Sequence, residues 1–335
     1  MNIDHSTRER SITEQVAIIV IAFNEERSIG SCLMALLNQC TTFSYKVIVV
    51  DDASKDTTAA IVKQLQFQFS NLQLLRHEVN RGRGAARRTG QDATGARWIG
   101  FVDADIVVPQ NWMKRCLEEL LEVDGVSGIA QPDGDCAVIW RVCQPTIRKR
   151  PGSAEITGNN VIFSRNALEV VPFSPSAKLG EDFRIAKLMI QKGYRLRTID
   201  DLKVEHQESK TYLGALSWMW KSGADATSLL FEFRIIRLPD LAWITWLSVF
   251  LVTLVGAAIA AFDSSLCIVA TVVMTLVISW TFIWSRFTPR RNLIRFLAAL
   301  TISPPMVLAY LAGRTTGLFQ IPYRLIHTSV RIENQ

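Results

Sequence analysis

Val16-Ala-Ile-Ile-Val-Ile21 constrains the fold more than any other stretch of the chain. A continuous apolar, mostly β-branched run does not alternate, so it reads as a strand covered on both faces, as strands of a parallel sheet are. Tyr45-Lys-Val-Ile-Val-Val50 and Trp98-Ile-Gly-Phe-Val102 repeat the pattern. Ile29, Leu33, Leu36 and Leu37 fall between the first two at helical spacing. A helix over about 56–69, a third strand over Leu72 to Leu75 and a helix from about Arg83 to Ala93 complete the alternation. Strands alternating with helices predict a doubly wound parallel sheet, which binds ligands beyond the carboxyl ends of its strands.

Two acidic clusters sit at such ends. Asp51-Asp52 closes the second run, and Asp103-Ala104-Asp105 closes the run from Trp98. Adjacent carboxylates repel unless a cation neutralises them. Oxygen ligands suit Mg²⁺ or Mn²⁺, which keep waters and bridge to substrate phosphates. Taken alone, Asp-x-Asp reads better as a polar turn, so its placement at a strand end like that of Asp51-Asp52 carries the argument. Between the clusters, Asn80-Arg-Gly-Arg-Gly-Ala-Ala-Arg-Arg88 leads glycines into a helix whose N-terminus and arginines favour an anion. Its spacing is neither Gly-x-Gly-x-x-Gly after the first strand nor a P-loop, which disfavours a dehydrogenase and a P-loop nucleotidase.

The composition is uneven. Hydrophobic residues make up 49% of the 335, and they concentrate after about Arg237. Leu241 to Phe262 and Ser264 to Ser285 carry no charge and are separated by Asp263. At ~1.5 Å per residue each reaches about 33 Å, enough for a bilayer core of roughly 30 Å. Phe296 to Gly313 is also uncharged but holds Ser303-Pro304-Pro305, so a kinked span and a re-entrant helix both stay open. Met1 to Gln15 is polar, with no cleavable leader visible. Arg234 and Arg237 before the first run, and Arg286, Arg290, Arg291 and Arg295 after the second, put the N-terminal domain on the cytoplasmic side of a cell (inner) membrane. The six cysteines have no zinc spacing and fit a reducing compartment. A net charge of +6 suits an anionic membrane surface, and no nucleic-acid motif accompanies it.

Five motifs occur in an order that resembles the family 2 glycosyltransferases, inverting nucleotide-sugar enzymes of the GT-A fold. They are Val20-Ile-Ala-Phe-Asn-Glu-Glu26, Val49-Val-Asp-Asp-Ala-Ser-Lys-Asp56, the Asn80 to Arg87 stretch, Phe101-Val-Asp-Ala-Asp105 and Gly180-Glu-Asp182. The resemblance covers about residues 16–235. It implies a mixed α/β sheet flanked by helices, followed here by transmembrane helices. It also implies roles. Ala22, Phe23, Asn24, Glu25 and Asp52 would hold the nucleoside, Asp52 accepting from the base ring, while for Asp51 a turn and a direct contact both stay open. Arg87 would face the nucleotide, and Arg88 would be structural or solvated. Asp103 would contact ribose or metal, and Asp105 would coordinate Mg²⁺ or Mn²⁺ on the diphosphate. Asp182 would be the general base that deprotonates the acceptor hydroxyl, with Glu181 positioning beside it at the start of a helix over Phe183 to Lys192.

On the acceptor side, the resemblance points to Asn159 and Asn160 in Gly158-Asn-Asn160, and to His206 near the diphosphate or metal. Ordinary turn chemistry and a structural histidine are the competing readings. Cys136 to Arg150, with Arg141, Arg148, Lys149 and Arg150, is either a cover over the site or a solvated basic loop. The expected division is a tail (1–15), a GT-A catalytic domain (16–210), an interfacial amphipathic segment (211–238), a membrane domain (239–313) and a C-terminal tail (314–335). The Gln-x-x-Arg-Trp signature of processive relatives is absent, and Trp218-Met-Trp220-Lys-Ser does not supply it. This favours transfer of a single sugar, from a UDP-sugar by family frequency, to a lipid-linked or polysaccharide acceptor. A polyprenyl-phosphate sugar synthase of the dolichyl-phosphate-mannose-synthase type is the alternative enzyme. A non-catalytic membrane-anchored binding protein is the alternative outside enzymes.

Overall fold

The protein is seen as a computed structural model that describes residues 15–133, 156, 158–175, 180–207, 211–233, 240, 243, 244, 246–248, 251 and 293–319. It divides into two compact units, the first holding the described residues up to Gln207 and the second those from Thr211 onward.

In the first unit the elements run β1 (Val16–Ala22), α1 (Ile29–Leu37), β2 (Tyr45–Asp51), α2 (Thr58–Gln66), β3 (Leu72–Arg76), α3 (Arg83–Asp92), β4 (Trp98–Asp103), β5 (Ile106–Val107), α4 (Trp112–Glu119), β6 (Gly125–Asp133), β7 (Asn160–Ser164), α5 (Arg165–Val170), α6 (Glu181–Gln191) and β8 (Leu196–Gln207). The sheet order is β3-β2-β1-β4-β7-β6-β8-β5. The first four strands in that order pair in parallel. β7 is antiparallel to both β4 and β6, β6 is parallel to β8, and β5 is antiparallel to β8. The doubly wound parallel pattern therefore holds for the N-terminal half, and the whole sheet is mixed.

β1 explains why its sequence is apolar without alternation. Val16, Ile18, Val20 and Ala22 join the core on one face, with α1, α4 and Val62 of α2. Ala17, Ile19 and Ile21 join the core on the other, with α5, α6 and Ala86 of α3. Burying each larger aliphatic side chain contributes about 1.5–3 kcal/mol, so the central strands anchor whatever is built at their ends. The register sets those ends level. Ala22 pairs with Asp51, and Ile21 with Asp103.

In the second unit, α7 (Tyr212–Phe233) packs along α8 (Leu293–Leu318). Glycines make the approach close. A Cβ on Gly223 would collide with the Tyr310 carbonyl, one on Gly313 with the Trp220 carbonyl, and one on Gly317 would lie 2.7 Å from the Ala224 carbonyl oxygen. Arg314 and Asp240 form a fully buried ion pair at 2.5 Å. The Arg314 guanidinium lies over the Trp243 ring, 4.8 Å from its centroid, and Thr227 Oγ1 donates to its carbonyl at 2.8 Å. Segment 296–313 lies inside α8, and Pro304-Pro305 does not end the helix. The runs 241–262 and 264–285 fall almost wholly outside the described residues, as does Cys136 to Arg150. Among the described residues, no helix is long and apolar enough to cross a membrane.

Candidate active site

The loops after β1 and β2 are tied to each other before any ligand is considered. Asp52 N donates to the Ala22 carbonyl at 2.9 Å. Asn24, in the left-handed region at φ 56, receives Lys55 N on Oδ1 at 2.8 Å, and its own N–H donates to Ser54 Oγ at 2.9 Å. Glu25 N donates to Thr58 Oγ1 at 2.8 Å. This leaves the Phe23 ring exposed at the rim. Ala22, Phe23, Asn24 and Glu25 thus form one braced turn beside Asp52.

Asp52 is buried and holds the glycine turn from beneath. Its Oδ1 accepts Arg81 N and its Oδ2 accepts Gly82 N, both at 2.8 Å. The turn needs Gly82, whose φ of 88° strains any residue with a Cβ. His77 completes the bracing, with Nδ1 2.6 Å from Asp52 Oδ1 and Nε2 2.9 Å from Thr89 Oγ1 on α3. Asp51, fully buried, accepts from Ser54 N and pairs with Arg76 at 2.9 Å. The sequence reading did not single out His77. A lone histidine just past a strand carries no motif, and its pairing with Asp52 depends on the β2–β3 register.

The two acids of Asp103-Ala104-Asp105 have different surroundings. Asp103 accepts from Arg87 Nη2 on Oδ1 at 2.8 Å and from Arg83 Nη2 on Oδ2 at 3.1 Å. Asp105 Oδ2 lies 3.0 Å from His206 Nε2, a contact set by the pairing of Ile106 with His206 between β5 and β8. Carboxylate oxygen and imidazole nitrogen are donor types a divalent cation such as Mn²⁺ accepts. Among the described residues no group of three or more His, Cys, Asp or Glu converges to cage a metal. Asp105 and His206 would offer a divalent cation one carboxylate and one imidazole nitrogen.

Arg87 links this acidic cluster to α6. It is 1% exposed. Its guanidinium reaches Asp103, the Gly158 carbonyl at 3.0 Å and Glu181 Oε1 in a short contact, and it lies over the Phe173 ring at 5.4 Å. Glu181, also buried, is thereby turned inward as the counter-charge of Arg87. Asp182, the next residue in the first turn of α6, points elsewhere. Its Oδ2 accepts Gly158 N at 3.2 Å and its Oδ1 accepts Phe183 N at 2.8 Å. A Cβ on Gly158 would sit 2.7 Å from Asp182 Cβ, so only glycine lets the loop pass that close. Asn159 gives its carbonyl to Asp103 N at 3.1 Å. Asn160 is fully buried and accepts Gly128 N at 2.6 Å, a contact internal to the sheet. Arg88 pairs with Asp92 one turn on, at the surface.

Arg83, likewise not singled out from sequence, completes the cluster. Its guanidinium lies 3.1 Å from Asp103 and 3.9 Å from Glu181. Asp103, with Glu181, Asp105 and Asp182 beyond it, holds Arg83 above the ordinary arginine range against an opposing effect of desolvation. Cys32 lies beneath the site, with Sγ 3.6 Å from the Asp103 carbonyl. Burial, then Asp105 and Asp103, push its thiol far upward.

A mixed sheet with acids level at its strand ends, flanked by helices on both faces, is GT-A-like. It resembles a solved mannosyltransferase of Pyrobaculum calidifontis, described as a complex with GDP-Man and Mn²⁺, with a TM-score of 0.63 at 19% identity over 91% of this chain and 88% of that one. Residues 17–168 match the family model described as Glycosyl transferase family 2. Glycosyltransferase AglE of Haloferax volcanii is 35% identical over 200 residues, 56% of this chain and 65% of that protein. A dolichyl-phosphate beta-glucosyltransferase of Dictyostelium discoideum is 35% identical over 99 residues, 27% of this chain and 30% of that one. The chain thus spans just under two thirds of the first relative's length and under a third of the second's.

Proposed function

We propose that the chain is an inverting glycosyltransferase that moves a single sugar from a nucleotide-diphosphate sugar to an acceptor hydroxyl. The observation that carries this reading is the bridge through Arg87 and Gly158. It joins Asp103, at the strand ends, to Glu181 and Asp182, at the head of α6. Inversion needs a donor acid cluster and a base within one cavity-sized span, and this bridge supports both.

The chain's residues divide the work. The Ala22 to Glu25 turn and Asp52 border the nucleoside. Asp105 and His206 would hold a divalent cation, which when bound neutralises charge on the departing diphosphate. Asp182 takes the proton of the acceptor hydroxyl as its oxygen attacks the anomeric carbon opposite the diphosphate. A carboxylate offers about four lone-pair sites, so the two backbone N–H groups on Asp182 leave it room for that proton. Glu181 keeps Arg87 in place, and Arg87 keeps Gly158 against Asp182.

The resemblance favours UDP as the nucleotide, and the GDP-Man in the structural neighbour's description supports testing GDP equally. The apolar runs 241–262 and 264–285 and their flanking arginines support a cell-membrane protein with a cytoplasmic catalytic domain, and hence a lipid-linked or surface-polysaccharide acceptor. A polyprenyl-phosphate acceptor is the second reading, favoured by the similarity to the dolichyl-phosphate enzyme. A phosphate acceptor needs little help from a base, so the two readings differ in what Asp182 must do.

Two substitutions test this. Asp105→Ala should abolish transfer and metal-dependent donor binding. Asp182→Asn should bind donor as the parent does while transferring about 10²–10⁴-fold more slowly. Normal turnover in Asp105→Ala would remove the metal assignment. Full transfer by Asp182→Asn would favour the phosphate acceptor.

A further inference from the structure

We propose that Arg83 is a donor-binding residue, one that exchanges the Asp103 carboxylate for a diphosphate oxygen and so couples nucleotide binding to cation binding. The inference deepens the donor reading above and rests on it.

The two arginines that reach Asp103 differ in every respect that matters for movement. Arg87 is 1% exposed and also held by Glu181 and the Gly158 carbonyl. Arg83 has a side chain 45% exposed, a single hydrogen bond to Asp103, and only a 3.9 Å approach to Glu181. A half-exposed ion pair of this kind contributes little to stability, so breaking it costs little. Arg83 is also the first residue of α3, directly after the Gly82 turn that Asp52 braces. Helix N-termini attract phosphate, and guanidinium–phosphate hydrogen bonds are shorter and stronger than neutral ones. A diphosphate reaching toward Asp105 and His206 would meet Arg83 on the way.

The exchange has a consequence for the cation. While Arg83 neutralises Asp103, a divalent ion near Asp105 meets a reduced negative field. Once Arg83 turns to phosphate, that field returns, and the nucleotide raises cation affinity. Linkage requires the converse, that the cation raise nucleotide affinity by the same factor.

The test uses the full chain, with Mn²⁺ binding followed by electron paramagnetic resonance and UDP, GDP, uridine and guanosine binding by calorimetry. For the parent protein, Mn²⁺ and one of the diphosphates should each tighten the other. Arg83→Gln should weaken that diphosphate about tenfold, leave its nucleoside unchanged and bind Mn²⁺ alone more tightly. Arg83→Lys should recover part of the diphosphate affinity. Equal weakening of diphosphate and nucleoside, or an unchanged diphosphate affinity in Arg83→Gln, would overturn the assignment to Arg83 while leaving the donor reading intact. A parent protein that binds neither diphosphate with Mn²⁺ would remove the donor reading itself, and the inference with it.

Discussion

Arg87 concentrates the energetic stakes of the site in one side chain. Its charge is buried and balanced by Glu181 and Asp103. Removing one partner of a buried pair costs about 3–5 kcal/mol, because the other charge is left uncompensated, while replacing both by apolar residues is often near neutral. Arg87→Met should therefore destabilise the protein by about 3 kcal/mol, and adding Glu181→Leu should restore much of that stability without restoring activity. Denaturant melts of the two single variants and the double variant measure the coupling, and strict additivity would contradict it. The cysteines give a second residue-scale outcome. Cys32 and Cys116 are buried with thiols pushed upward, chiefly by burial, so both stay protonated, whereas Cys40 is exposed. Iodoacetamide on the native protein at about pH 8 should label Cys40, and should reach Cys32 and Cys116 only after unfolding, as peptide mass mapping will show. At this scale Asp52, Asp103, Asp105 and Asp182 stand out in the sequence as candidates, because acids at strand ends and at a helix start are local features. It did not reveal which acids pair with Arg83, Arg87 and His77. Those contacts join residues 16 to 94 positions apart and depend on tertiary register.

At the scale of elements, period and apolar content were enough for β1, β2, β4, α1 and α3, whose observed ends fall within a residue or two of those read from the sequence. The antiparallel strands β7 and β5 were not legible. β5 has two residues, too short for any pattern, yet it brings His206 to Asp105. Helix α8 shows the opposite case. Two adjacent prolines left a kinked span and a re-entrant helix both open; the helix continues through them, and its seam with α7 is made by glycines that have no apolar signature. Gly223→Val should push α7 off the Tyr310 carbonyl and destabilise that unit by roughly 1–3 kcal/mol, in the range of overpacked cores. A thermal melt followed by circular dichroism measures this, and an unchanged transition would contradict the close approach.

At the scale of the whole molecule, the GT-A-like fold was legible because five short motifs keep their order along it. The two uncharged runs and their flanking arginines support membrane attachment. The chain should remain in the membrane pellet after a high-salt wash and leave it only in detergent; release by salt would reduce the attachment to surface charge. Donor chemistry is central to the proposed function. The most direct test is release of nucleoside diphosphate from a panel of nucleotide sugars by the purified full chain, with Mn²⁺ or Mg²⁺, with and without chelator, beside Asp105→Ala. Release is expected from at least one donor, lost on chelation and lost in Asp105→Ala. Release that survives both, or no turnover and no binding of any donor with either cation, would contradict the proposed function.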